Sequence, residues 1–183
     1  MAKKINWDEL TPEQRRVTIA KDVILQMGTK YRGCYGSYYE EEDFNMGFFE
    51  NGDLYVDATT IIEFKKVIER SPICNVCAKG ALLMSDILLK NECKLSYDQF
   101  ISKDKKKFID ERLTFDWSIQ QLDLIETAFE SSLVHDRSIV TEDDMILFEN
   151  AINYSNKEKI TSSSKLIISI MQNIIDNDGT FIP

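Results

Sequence analysis

The chain has 183 residues, 43% of them hydrophobic and 29% charged, with only three prolines and seven glycines. That composition is one α-rich globular domain spanning 1–183, and it excludes collagen-like repeats, long linkers and a loop-rich β-sandwich. A net charge of −9 opposes unaided binding to a phosphate backbone, so no direct nucleic-acid contact is expected. No apolar run approaches the roughly 20 residues of a membrane span. The start, Met1-Ala-Lys-Lys-Ile-Asn-Trp, lacks the apolar centre of a secretory signal, so a cytoplasmic protein is expected.

The pattern along the chain predicts a mainly α, compact multi-helix fold with one small β element. Thr11-Pro12-Glu13-Gln14 has the form of a capping box with proline at the first helical position. Val17, Ala20, Val23, Ile24 and Met27 recur at helical spacing up to Gly28, which predicts a helix over 12–27. Residues 29–57 hold eight of the 19 aromatics, and Asn51-Gly52 between apolar stretches predicts a small β-hairpin or irregular insertion there. Asp57 opens a predicted helix through Arg70, ended by Ser71-Pro72. A further helix is expected from about Asn75 to Lys90, where Val76, Ala81, Leu83, Met84, Ile87 and Leu88 share a face and Gly80 allows a close neighbour. Ser96 has capping-box form, and Lys103–Lys107 reads as a solvated basic face. Asp116 is expected to cap a helix burying Ile119, Leu122, Ile125, Ala128 and Phe129. Thr141 caps the next, with Met145, Leu147, Phe148, Ala151 and Ile152 inward. Ser162 or Ser163 starts the last, which is apolar through Ile175 and stops near Asn177-Asp178-Gly179.

Few residues carry recognisable chemistry. Cys74-Asn-Val-Cys77 has metal-like spacing, because two thiolates two residues apart can share a tetrahedral ion such as zinc. Cys34, Cys93 and the single histidine, His135, are the available further ligands. Buried cysteine is also a common small hydrophobe, and structural packing is the favoured reading, with no cofactor expected. A redox role needs the pair to follow a strand and open a helix of an α/β unit, a context the pattern does not supply. Nucleotide-binding loops, nucleophile elbows and zinc-protease helices are absent from the sequence, so no enzyme class is expected. Asp176-Asn-Asp178-Gly179 echoes a calcium loop, but the distal glutamate is missing, and a helix C-terminus accounts for it.

Charge is distributed unevenly. Residues 40–57 carry seven acids and no base, and residues 108–158 carry twelve acids against three bases. Glu40, Glu41, Glu42 and Asp43, with Asp143 and Asp144, are candidate contacts for a basic partner, and Tyr38, Tyr39, Phe48 and Phe49 are candidate short-range anchors.

Three segments, Arg16–Ile24, Cys74–Leu82 and Ile170–Pro183, resemble a family of small uncharacterised proteins encoded by tailed bacteriophages and prophages. The resemblance implies an accessory gene product working in the bacterial cytoplasm and brings no catalytic residues. With the acidic blocks, it leads to the expectation of a non-enzymatic interaction protein. An inhibitor of a host nuclease or other nucleic-acid-processing or defence enzyme, of anti-CRISPR or anti-restriction type, is the sharper form. The alternatives are a metal-binding or redox module on Cys74 and Cys77, and a self-associating phage structural or regulatory component.

Overall fold

The structure is a computed structural model that describes residues 6–36, 49–50, 53–56, 74–90, 100–102, 112–132 and 141–183. The expected helix over 57–70, the Ser96 cap, the Lys103–Lys107 run, Cys93 and His135 lie outside these residues. The described chain is mainly helical, as the periodicity predicts.

Helix α1 (Pro12–Gln26) begins with the expected capping box: the Thr11 hydroxyl accepts the Gln14 N–H at 3.3 Å, and the Gln14 side chain accepts the Thr11 N–H at 3.0 Å. Gly28 follows at φ +83°, the left-handed geometry that ends the helix. Strand β1 (Tyr31–Gly33) comes next. The hairpin predicted around Asn51-Gly52 is present as β2 (Phe49–Glu50) antiparallel to β3 (Asp53–Val56). Phe49 pairs with Leu54 and Glu50 with Asp53.

Strand β4 (Cys74–Val76) lies parallel to β1 in the register Tyr31 to Cys74 and Gly33 to Val76. This corrects the helix expected from Asn75. Residues 74–76 are claimed by the strand, and helix α2 (Ala78–Leu89) starts after Cys77. A third strand, β5 (Phe100–Ser102), adds to the hairpin antiparallel to β3. Helices α3 (Ile119–Glu130), α4 (Glu142–Ile152), the short α5 (Tyr154–Lys157) and α6 (Ser163–Asp176) complete the described elements.

Helix α2 is the centre of the core. Every residue from Ala78 to Ile87 is buried, beyond the single face that was expected. A helix apolar nearly all round is stable only with neighbours on all sides. Helices α1 and α3 pack directly on it, while α6 lies against α1, α3 and β1. From α6 come Leu166, Ile167, Ile170, Met171 and Ile174, all buried, each contributing roughly 1.5–3 kcal/mol by leaving water. Gly33 marks the tightest junction: a Cβ there would stand 2.5 Å from the Ser164 backbone nitrogen. Its N–H instead donates to the Ser164 hydroxyl at 2.9 Å, and its carbonyl accepts from the Ser163 hydroxyl at 2.8 Å.

Asp116 is not the cap of α3. Ser118 takes that place, accepting the Gln121 N–H at 3.2 Å. Asp116 instead pairs with Lys90 at 2.9 Å and Arg15 at 3.3 Å, while Asp86 pairs with Lys90 and with Arg112 at 2.7 Å. Arg16 donates to the carbonyls of Asp116 (2.6 Å) and Gly179 (2.7 Å), with its guanidinium over the Trp117 ring. These mostly buried charges tie residues 112–117 to α1 and α2. Such networks are stable only when partnered on both sides.

Candidate functional site

Two places gather the residues with chemistry. The first is the interior around the start of α2. Cys77 is buried and in extended backbone, and its sulfur accepts the Gly80 N–H at 3.4 Å, so the thiol caps the helix in place of the usual hydroxyl or carboxylate. Burial, with the carboxylates of Glu126 and Glu130 contributing, pushes its pKa up to about 12. A thiol held protonated in this way is not a ready metal ligand, and it attacks as a nucleophile only where a group beside it takes its proton. Lys79 is fully buried and donates to Glu126 on α3 at 2.9 Å. One turn further along α3, Glu130 accepts the Gly36 N–H at 3.2 Å, and Tyr35 stacks on the buried Phe129 with ring centroids 4.8 Å apart. Burial raises the Glu130 pKa above its ordinary value; the Gly36 N–H opposes this and Glu126 adds to it.

Cys74 belongs to β4 and Cys77 to the cap, so the cysteine pair does straddle a strand and a helix start. The strand is parallel to β1, which is α/β context that the sequence pattern did not reveal. Its first cysteine nevertheless sits within the strand, away from the helix N-terminus where a reactive thiol gains acidity. Among the described residues, no group of three or more His, Cys, Asp or Glu side chains is placed to hold a metal ion.

The second place is the outer face of α4. Thr141 forms the expected capping box with Asp144, whose carboxylate accepts from the Thr141 hydroxyl at 2.7 Å and from Gln120 of α3. The Thr141 hydroxyl bond, then its N–H, hold the Asp144 pKa below the ordinary value. Asp144 is thereby committed to the fold, whereas Glu142, Asp143 and Glu149 face solvent. Only Phe148 and Ala151 of this helix are buried. Met145, expected inside, is 43% exposed, and Ile146 is 56% exposed. Ile119, also expected inside, is 57% exposed at the first position of α3, where Gln120 reaches Asp144. The reason is the helix phase: Asp144, Phe148 and Ala151 form the stripe toward α3, so positions 145 and 146 fall outside it.

Of the other predicted contacts, Tyr38, Tyr39, Glu40–Asp43 and Phe48 lie outside the described residues. Phe49 is the first residue of β2, paired with Leu54. The buried Lys79–Glu126 pair went unrecognised in the sequence. A lysine at the head of the otherwise small and apolar run Ala78–Met84 was the available signal, since such a helix must bury whatever it carries. Among the described residues, no helix is long and apolar enough to cross a membrane.

Comparison with known proteins yields no matching family model, no matching curated protein and no matching solved structure.

Proposed function

We propose that the protein works by protein–protein interaction, presenting the outer face of α4 to a basic surface on its partner. The observation that carries this reading is the composition of that face. Met145 and Ile146 are exposed among Glu142, Asp143 and Glu149, and the helix contains no lysine or arginine. The acids of the first turn also favour the helix through its dipole, so by themselves they say little. Glu149 is different. It lies in the last turn, where a carboxylate opposes the dipole, so its presence costs helix stability. Carboxylates steer encounter with a positive surface, and exposed Met and Ile supply the desolvated contact that holds it.

A groove that binds nucleic acid is the basic surface such a face fits best. Occlusion of that groove in a host nuclease or defence enzyme is the function we propose, in the phage setting that the sequence resemblance suggests.

The variant E149K separates binding from folding. It should leave the melting temperature unchanged or raise it, because a base in the last turn stabilises a helix by about 0.3–1 kcal/mol. It should also weaken salt-sensitive capture of a basic nucleic-acid-binding protein from bacterial lysate, and Met145→Ser with Ile146→Ser should weaken it at every salt concentration. Capture of that protein by E149K as strong as by the parent chain, at low and high salt alike, would remove the α4 face from the proposal.

A further inference from the structure

The parallel pair β1/β4 does more than seat α2. Its register runs Tyr31 to Cys74, Arg32 to Asn75 and Gly33 to Val76. The Cys34 N–H then donates to the Val76 carbonyl at 2.8 Å, so the next rung sets Cys34 beside Cys77. Cys77 still has extended backbone at φ −82° and ψ 179°. Register partners in a parallel pair project to the same face, and adjacent strands stand about 4.8 Å apart. A disulfide asks for Cα atoms roughly 4.4–6.8 Å apart. The chain beyond Cys34 is held at the same spot, through Tyr35 on Phe129 and Gly36 on Glu130, beside the α3 carboxylates that act on Cys77. Neither sulfur is in a disulfide; Cys77 is buried and Cys34 is partly open to solvent, its thiol donating to the Tyr35 carbonyl at 3.5 Å.

We propose that Cys34 and Cys77 are a redox pair that closes to a disulfide under peroxide. The Cys34 thiolate attacks a peroxide oxygen, breaking the O–O bond and forming Cys34 sulfenic acid and hydroxide. The Cys77 sulfur then attacks the Cys34 sulfur; the S–S bond forms as the S–O bond breaks. The Cys77 proton and the departing hydroxide make water. In sum, two thiols and one hydrogen peroxide give one disulfide and two waters. The more exposed Cys34 meets the oxidant first, and the buried Cys77 resolves it. The bridge ties the end of β1 to the start of α2 and engages the sulfur that caps that helix.

The test is peroxide treatment of the folded full chain, alkylation of remaining thiols, and peptide mapping without reduction. Cys74 and Cys77 share a tryptic peptide, so the same experiment on C74S assigns the link. The expected result is a Cys34–Cys77 linked peptide that persists in C74S, disappears on reduction, and is absent from C34S and C77S. Serine can cap a helix as cysteine does here, so C77S should keep the fold, and C34S alone decides should it not. Sulfinic acid accumulating at Cys34 while Cys77 remains alkylatable after denaturation would overturn the proposal, as would a link to Cys74 or Cys93.

Discussion

Glu130 shows how a single side chain couples the interior to pH. Its carboxyl binds a proton more tightly in the folded protein than in the unfolded chain, chiefly because it is partly buried. The folded state is therefore favoured below the ordinary carboxyl value of 4.5, and that contribution is lost as pH rises through the raised folded value. E130Q keeps an oxygen for the Gly36 N–H but cannot ionise. Its stability relative to the parent chain, followed by urea denaturation, should improve as pH rises above the ordinary carboxyl value of 4.5 and level off once pH passes the raised folded value; a difference that does not vary with pH would contradict the assignment. In the neighbouring Lys79–Glu126 pair each charge faces its opposite at 2.9 Å in a site closed to water. Lys79→Met should cost about 3–5 kcal/mol by leaving the carboxylate buried without its cation. Adding Glu126→Met should restore much of that loss, which a double-mutant cycle in urea would read directly.

At the scale of elements, local chemistry was legible and long-range pairing was not. The Thr11 and Thr141 capping boxes, the β2/β3 pairing and the apolar stripe of α6 each depend on residues a few positions apart, so their patterns announce them. The β1/β4 pair joins segments some forty residues apart through backbone hydrogen bonds, which leave no periodic trace in strands of three residues. The same blindness misplaced the start of α2 and the role of Asp116, whose partners Arg15 and Lys90 are far away in the chain. Of the candidate site, the acidity of α4 could be read from its sequence, but the exposure of Met145 and Ile146 depends on which stripe meets α3. Gly33 gives the non-local pairing a direct test. Its backbone dihedral is not of the kind reserved for glycine, so Gly33→Ala probes contact alone. A Cβ 2.5 Å from the Ser164 nitrogen must push β1 away from the start of α6, at a cost of at least about 1–3 kcal/mol. An alanine variant with an unchanged thermal midpoint would mean that strand and helix are not in contact.

For the whole molecule, the decisive feature is how the last residues join the core. Phe181 is buried against Tyr154, with ring centroids 5.2 Å apart. Gln121 of α3 accepts its N–H at 2.7 Å and donates to its carbonyl at 3.2 Å. Asn173 of α6 serves Ile182 in the same reciprocal way, at 2.9 and 2.8 Å. Two side-chain amides thus pair with the tail as a neighbouring strand would, and the tail links α3, α5 and α6. Phe181→Ala should cost about 3–5 kcal/mol through the cavity it leaves. Because the tail joins three helices, that loss should appear as one cooperative shift of the unfolding transition rather than as fraying of α6. Circular dichroism and tryptophan fluorescence should report the same lowered midpoint, since Trp117 lies in the segment that Arg16 ties to Gly179 just before the tail. Separate midpoints for the two signals would show instead that the tail stabilises only its own end of the bundle. The α4 face makes the complementary case: its outward residues contribute little to this core, so a change there can alter binding while the cooperative transition stays in place.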